Sequence, residues 1–170
     1  MRRNPSAQDG LMKTISSDHF LQAISAKAAE SRRPEGVTFE LTYGCNLRCV
    51  HCYSSSGASP ESLELTDDKC VRLVDEISAL KPPIVLLSGG EPLMRKNVFD
   101  IVRACKSGGL RVGLSTNGTL IDKDMAAKIA DSGVDYAGIS IDGREALHDK
   151  LRDSKGAFAS SWNMPSSVVK

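Results

Sequence analysis

The 170-residue sequence has no strong excess of either charge, no long apolar run and no nucleotide-binding glycine motif. Lys and Arg number 22 against 21 Asp and Glu, so the net charge of +1 offers no basic field to nucleic acid or anionic membrane. The longest purely apolar run, residues 84–87, is far shorter than a membrane span, and no apolar signal region opens the chain. We therefore predict a cytoplasmic protein with no nucleic-acid or membrane partner.

Aromatic residues are also scarce, at 5%, but 41% of residues are hydrophobic and 25% are charged. These values exclude a disordered chain, and the length suits one domain with a real core. G-x-G-x-x-G and G-x-x-x-x-G-K-[ST] are both missing, so the dinucleotide and P-loop interpretations have no support in the sequence.

Cysteine is present in an odd number, five, and Cys45, Cys49 and Cys52 fall within eight residues. In a reducing compartment such a cluster indicates metal rather than a disulfide framework. Three thiolates are one fewer than usually close an iron-sulfur or zinc site, so one metal position is left open for a substrate or cofactor. The alternative is a Cys3His zinc site, for which His51 is poorly placed beside Cys52, or a fourth ligand elsewhere. Cys70 and Cys105 are predicted to be buried in helices.

Short apolar runs alternate with amphipathic segments from residue 37 onward, which predicts βαβ units and a parallel sheet. The predicted strands cover residues 37–42, 84–88, 110–115 and 136–141, and the predicted helices cover residues 66–80, 97–106 and 122–133. The first of these helices is expected to turn Val71, Val74, Ile77 and Leu80 inward. A further short helix is possible over residues 17–30.

Unusual loops follow all four predicted strands. They are residues 45–53, residues 89–92, residues 116–118, and Ser140 with Asp142 and Gly143. In parallel α/β folds such loops open on one face, so we expect them to converge. Gly89 and Gly90 suit a close backbone approach, and the Glu91 carboxylate could hold an ammonium group. Taken singly, each of the three later loops is also compatible with an ordinary turn.

Four segments together resemble the radical S-adenosylmethionine (radical SAM) superfamily. C-N-L-R-C-V-H-C-Y at 45–53 is similar to its cluster loop, and S-G-G-E-P at 88–92 to its methionine-binding loop. S-T-N-G at 115–118 and I-S-I-D-G at 139–143 are similar to its third- and fourth-strand motifs. The resemblance runs from about Val37 to Phe158 and implies a partial, TIM-like (β/α) barrel, of which about four βα units are present.

The resemblance implies a 4Fe-4S cluster on Cys45, Cys49 and Cys52, with S-adenosylmethionine on the fourth iron and a 5'-deoxyadenosyl radical as the product of its one-electron cleavage. It also implies a set of residues that contact S-adenosylmethionine: Ser88, Gly89, Gly90, Glu91, Asn117, Ser140 and Arg152. His51 occupies the position that often packs beside the cluster. The alternative for Arg152 is a solvated charge on the surface of a helix. For His148 such a solvated position is the expected state.

The sequences C-V-H-C-Y and G-I-S-I-D-G resemble most the branch that contains tetrapyrrole-modifying enzymes of alternative haem pathways and SPASM-type peptide maturases. This resemblance implies a haem precursor or a peptide as substrate, and an electron donor such as ferredoxin or flavodoxin. A non-catalytic iron-sulfur or zinc-binding fragment is the alternative from another functional class.

Fewer βα units are predicted here than the family's barrel contains, which suggests a truncated chain. We predict a lead-in segment over residues 1–36, a radical SAM core over 37–158 and an atypical tail over 159–170. The tail is rich in serine and shows no helical or strand period.

Overall fold

The computed structural model describes residues 34–57 and 64–165. In these ranges four strands form one parallel sheet in the order β1-β2-β3-β4: β1 is Val37–Glu40, β2 is Val85–Ser88, β3 is Val112–Thr116 and β4 is Tyr136–Ile139. The strands follow one another in chain order, and a helix lies between each consecutive pair. The predicted α/β class with a parallel sheet is confirmed.

Five helices and one 3-10 turn accompany the sheet in the described residues. The helices are α1 (Asp67–Leu80), α2 (Val98–Ser107), α3 (Lys123–Ser132), α4 (Glu145–Arg152) and α5 (Ala157–Trp162), and the 3-10 turn is Pro92–Met94. Helix α2 packs against both α1 and α3, and α4 packs against α5. Within the two described ranges no helix is long and apolar enough to cross a membrane.

The strand register aligns the carboxyl ends of the strands. Glu40 pairs with Ser88, and Thr116 pairs with Ile139. Because the strands are parallel and end at matching levels, the loops that follow them open at the same edge of the sheet. The predicted convergence of these loops is confirmed.

The core lies around the two central strands, β2 and β3, and the helices that connect the sheet. Val85, Leu87, Val112 and Leu114 are fully buried, and because they alternate along their strands they share the face of the sheet that packs against the helices. Cys105 is fully buried as well, and burial raises the pKa of its thiol to about 11. This thiol and the equally buried Cys70 therefore pack as small apolar groups, as predicted.

The inward face of α1 differs from the prediction. Cys70, Val74 and Ile77 are buried, whereas Val71 is 38% exposed. Cys70, Val74 and Ile77 follow the spacing of one helical face, and Val71 lies about 100° around the helix from Cys70. Leu80, the last residue of the helix, is also exposed. The prediction was therefore wrong for Val71 and Leu80.

Helix α5 forms where the sequence indicated no regular period. Its start is held by Asp149 of α4, whose carboxylate accepts hydrogen bonds from Gly156 N at 2.6 Å and Phe158 N at 2.8 Å. These bonds come from outside the helix, so the periodicity of the segment did not reveal them. The helix crosses the predicted boundary at residue 158, while the possible helix at 17–30 and residues 166–170 lie outside the described residues.

Candidate functional site

The cysteine loop follows β1 and is held at two places. Near its start, Cys45 N donates to Gly57 O at 3.0 Å, and Gly57 N donates to Tyr43 O at 3.0 Å. Further along, Val50 N donates to Leu151 O of α4 at 2.9 Å. The loop is thus tied both to its own ends and to a helix that lies about a hundred residues later in the sequence.

Gly89 and Gly90 allow the loop after β2 to lie directly against the loop after β1. Gly90 N donates to Thr42 O at 2.7 Å, and Glu91 N donates to Gly44 O at 2.8 Å. A Cβ on Gly90 would lie 2.2 Å from Gly44 O, and one on Gly89, where φ is +126°, would lie 2.4 Å from Thr42 O. The predicted close approach is therefore present, and the partner is the backbone just before the cysteine loop.

Glu91 has a role that the sequence did not indicate. Its side chain is fully buried, and its carboxylate accepts hydrogen bonds from Leu93 N at 3.1 Å, Thr116 Oγ1 at 2.8 Å and Asn117 N at 2.8 Å. Burial raises the pKa of this carboxyl, and the three hydrogen bonds act in the opposite direction. The carboxylate thereby joins the loop after β2 to the loop after β3.

Asn117 places the loop after β3 beside the cysteine loop. Its Nδ2 donates to Asn46 Oδ1 at 2.9 Å and lies 3.9 Å from Cys45 Sγ, within reach of a weak hydrogen bond. Its Oδ1 accepts from Thr119 N at 2.9 Å. The amide orientation is therefore fixed, with its donor group directed at the first cysteine of the motif.

Arg152 connects α4 to both the cysteine loop and the end of β4. Its Nη1 donates to Cys49 Sγ at 3.7 Å, and its Nη2 donates to Ser140 O at 3.2 Å. The third contact is from Nε to Asp142 Oδ2 at 2.5 Å. Arg152 is only 9% exposed, so the structure rules out the alternative of a solvated helix charge.

His148 is also not a solvated residue, which corrects the expectation for it. The ring is completely buried, and its Nδ1 accepts a hydrogen bond from Asp142 N at 3.2 Å. Asp142 in addition lies 3.7 Å from His51 Nε2 through its Oδ1. Sequence reasoning gave Asp142 no role beyond that of a turn; its place at the carboxyl end of β4 was the available signal.

Each cysteine of the motif has an N–H group at its sulfur. Leu47 N lies 3.4 Å from Cys45 Sγ, and Ser56 N lies 3.4 Å from Cys52 Sγ, while Cys49 has the guanidinium described above. Burial raises the pKa of Cys45, whereas the hydrogen bond with Ser54 lowers the pKa of Cys52. Such donors favour a thiolate, which is the form that binds metal.

One cavity of about 220 Å³ brings these groups together. It is lined by the three cysteines and by all but one of the other predicted site residues: Ser88, Gly89, Gly90, Asn117, Ser140 and Arg152. His51 and Tyr53 also line the cavity. The exception, Glu91, is not among the lining residues.

The cysteines are not arranged around a single point. In residues 34–57 and 64–165, no three His, Cys, Asp or Glu side chains lie close enough to hold one metal ion. A four-iron cluster does not require such convergence, because each protein thiolate binds a different iron.

Comparison with known sequences identifies the family. The sequence profile of the radical SAM superfamily matches residues 39–163, which include all four loops at the carboxyl ends of the strands. The chain belongs to the radical SAM superfamily. This superfamily uses a 4Fe-4S cluster and S-adenosylmethionine, the two cofactors that the sequence motifs implied.

Among similar proteins, the AdoMet-dependent heme synthase of Methanosarcina barkeri is 45% identical over 131 residues, covering 76% of this chain and 38% of that protein. Mycofactocin maturase MftC of Mycolicibacterium smegmatis is 40% identical over 126 residues, covering 74% and 32%. This radical SAM chain thus spans about a third of the length of these relatives.

Two solved radical SAM structures share the fold. Streptococcus suis SuiB bound to precursor peptide SuiA superposes with a TM-score of 0.62 at 16% identity, covering 92% of this chain and 36% of SuiB. Native anSMEcpe with bound AdoMet gives a TM-score of 0.60 at 22% identity, covering 75% and 38%. The four βα units correspond to part of the TIM-like barrel of these enzymes.

Proposed function

We propose that this chain holds a 4Fe-4S cluster on Cys45, Cys49 and Cys52 and binds S-adenosylmethionine beside it. The observation that carries the proposal is the shared cavity, which collects the three thiols and the ends of β2, β3 and β4 in one place. The chemistry of the donor set agrees with the cluster, because hydrogen bonds to cysteine sulfurs are one of the means by which proteins tune iron-sulfur centres.

The same cavity suits the polar end of S-adenosylmethionine. When bound, the cluster and S-adenosylmethionine supply one-electron cleavage of the sulfonium to methionine and a 5'-deoxyadenosyl radical, which abstracts hydrogen from the substrate. In this proposal Ser88, Gly89 and Gly90 receive the amino group, and Glu91, which was expected to contact it, instead holds the loop after β2 against the loop after β3. Ser140 and Arg152 receive the carboxylate, since a guanidinium matches a carboxylate in charge and shape. Asn117 lines the cavity beside Cys45.

For the substrate we propose a tetrapyrrole of the haem-precursor class, with ferredoxin or flavodoxin as the electron donor. The support is the 45% identity to an AdoMet-dependent heme synthase and the 41% identity over 122 residues to the Fe-coproporphyrin III synthase of the same organism. A peptide substrate is the second candidate, supported by the mycofactocin maturase relative.

The decisive experiment measures the cofactors and their chemistry separately. The protein is reconstituted with iron and sulfide without oxygen, its metal content is determined, and it is then reduced in the presence of S-adenosylmethionine. We expect about four irons per chain and the release of 5'-deoxyadenosine. One equivalent of zinc with no iron would favour the zinc-binding fragment. A soluble, cluster-loaded sample that forms no 5'-deoxyadenosine would reject catalysis by this chain.

The substrate is tested with the same reconstituted protein. Iron-coproporphyrin III and an unrelated peptide rich in Cys and Ser are added in parallel, and substrate-dependent formation of 5'-deoxyadenosine is measured. Stimulation by the porphyrin alone supports the tetrapyrrole proposal. Stimulation by the peptide alone contradicts it and favours the maturase candidate.

A further inference from the structure

The carboxyl end of β4 contains a buried polar arrangement that cofactor contact alone does not explain. Asp142 Oδ2 accepts from Arg152 Nε at 2.5 Å, and this arginine is 9% exposed. The Asp142 side chain is itself only 23% exposed. Because both partners are largely shielded from water, this charge-assisted hydrogen bond is screened less than a surface salt bridge and restricts the orientation of the guanidinium.

Because of the shape of the guanidinium, the contact at Nε also restricts the orientation of the other N–H groups. The group is planar and its N–H groups are fixed relative to one another, so the Nε bond to Asp142 sets the direction of both terminal nitrogens. One of them reaches Cys49 Sγ and the other reaches Ser140 O. Asp142 thereby aims Arg152 at the cysteine motif.

His148 supports Asp142 in turn. Its Nδ1 accepts the backbone N–H of Asp142, so the proton of a neutral ring lies on Nε2, which is buried without a hydrogen-bond partner. The ring makes a T-shaped contact with Phe158, with centroids 5.7 Å apart and an interplanar angle of 71°. A fully buried histidine with one unpartnered nitrogen is costly, which is compatible with a requirement to hold this turn in place.

We propose that Asp142 is a positioning residue for S-adenosylmethionine binding, which it supports by holding the Arg152 guanidinium toward the carboxylate of that ligand, and that His148 holds Asp142. This inference rests on the proposed function, because it takes Arg152 as the partner of the carboxylate. Without Asp142 the arginine keeps its charge and its place on α4, but the guanidinium loses its shortest contact and its two terminal nitrogens are held only by the longer contacts with Cys49 Sγ and Ser140 O.

The test is a double-mutant cycle on reconstituted, oxidised protein with no reductant present. The affinity for S-adenosylmethionine is measured from the change in the cluster's absorption during titration, so no turnover is needed. We expect Arg152→Ala to weaken binding by about tenfold or more, and Asp142→Ala by a smaller factor in the same direction. In the Arg152→Ala background, Asp142→Ala should have no further effect, because its influence passes through the arginine.

Two more variants separate positioning from folding. Asp142→Asn keeps an oxygen that can accept from Arg152 Nε and should recover much of the affinity lost in Asp142→Ala. If Asp142→Ala does not fold, the cycle is run with Asp142→Asn, whose smaller loss must also vanish in the Arg152→Ala background. Asp153→Asn is the matched control, since it removes an exposed carboxylate next to Arg152 and Asn tolerates the φ of 49° at this position.

The outcomes distinguish this inference from the proposed function. Losses that add in the double variant, or an Asp142→Ala protein that binds as tightly as the unaltered chain, would overturn the positioning role while the proposed function stands. Failure of the unaltered chain to bind the cluster or S-adenosylmethionine would overturn both. A loss of affinity for S-adenosylmethionine in Asp142→Ala that disappears in the Arg152→Ala background supports the proposal.

Discussion

The five cysteines form two groups that differ in their exposure and in the groups that lie near the sulfur. Cys45, Cys49 and Cys52 lie in a loop, are partly accessible and each have an N–H group near the sulfur. Cys70 and Cys105 are buried in helices, where desolvation raises the pKa of both thiols. The contrast suits the motif cysteines to the proposed ligand role and the other two to packing, because thiol reactivity depends on the dipoles and solvent around the sulfur. Substitutions in each group can test that difference.

The largest difference is expected for cluster binding. Cys49→Ala removes one of three proposed ligands and should reduce the iron content after reconstitution from about four per chain to a small fraction. Cys105→Ala should retain full loading, because this thiol lies in the core. Iron and sulfide analysis of both variants provides the measurement, and equal loading of the two would contradict the proposed ligand set.

The close backbone contact between the loops after β1 and β2 should give the next largest effect when it is disturbed. Gly90→Ala places a methyl group 2.2 Å from Gly44 O, so the two loops must separate, at a cost of about 1–3 kcal/mol and with reduced cluster loading. Gly109→Ala is the matched control: its Cβ would meet nothing within 4 Å, and only its φ of +75° opposes the change. Chemical denaturation and iron analysis measure the two effects. If Gly109→Ala lowered cluster loading as much as Gly90→Ala, this explanation would fail.

For the free energy of unfolding we expect the reverse order, in which the core cysteine matters more than the motif cysteine. Cys105→Ala leaves a small cavity beside fully buried neighbours such as Ile101 and should lower the free energy of unfolding by about 1–2 kcal/mol. Cys49→Ala in the protein without cluster should change it by less. Urea unfolding of both cofactor-free variants makes the comparison, and a greater loss for Cys49→Ala would reverse our assignment.

The smallest expected effect is on the rates at which the individual thiols are alkylated, which report directly on the surroundings of each sulfur. In the cofactor-free protein at a pH of about 8, Cys52 should react first with iodoacetamide, because its lowered pKa gives it a larger fraction of thiolate. Cys45, whose pKa is raised by burial, should follow, and Cys105, with a pKa of about 11, should react only on unfolding. Mass spectrometry of timed samples resolves the order. Simultaneous labelling of Cys52 and Cys105 would show that the environments do not differ as described.

The parts of the molecule that follow local rules were predictable from the sequence. The four strands have short apolar runs, and their carboxyl ends carry the unusual loops, so the convergence of those loops followed from the parallel arrangement alone. The cysteine spacing likewise indicated a ligand set, and Cys70 and Cys105 were correctly assigned to the core.

The remainder depends on contacts between segments that are distant in the sequence. The burial of His148 depends on packing against α5, a helix that sequence periodicity did not reveal. The buried carboxylate of Glu91 is held by the loop after β3, and Asp142 meets Arg152 only when α4 folds back over the end of β4. Residue type and spacing place these residues near the carboxyl ends of the strands but do not identify their partners.

The hydrogen bonds between the cysteine loop and α4 affect the order in which the site is assembled. Val50 bonds to Leu151, and Cys49 is 103 residues from the arginine that contacts it. During synthesis, the motif cysteines leave the ribosome long before α4 exists, and contacts of such high sequence separation are slow to form. The loop thus obtains its last structural support only when residues near 152 have left the ribosome, so a cluster held by this loop would enter the finished site only after α4 has formed.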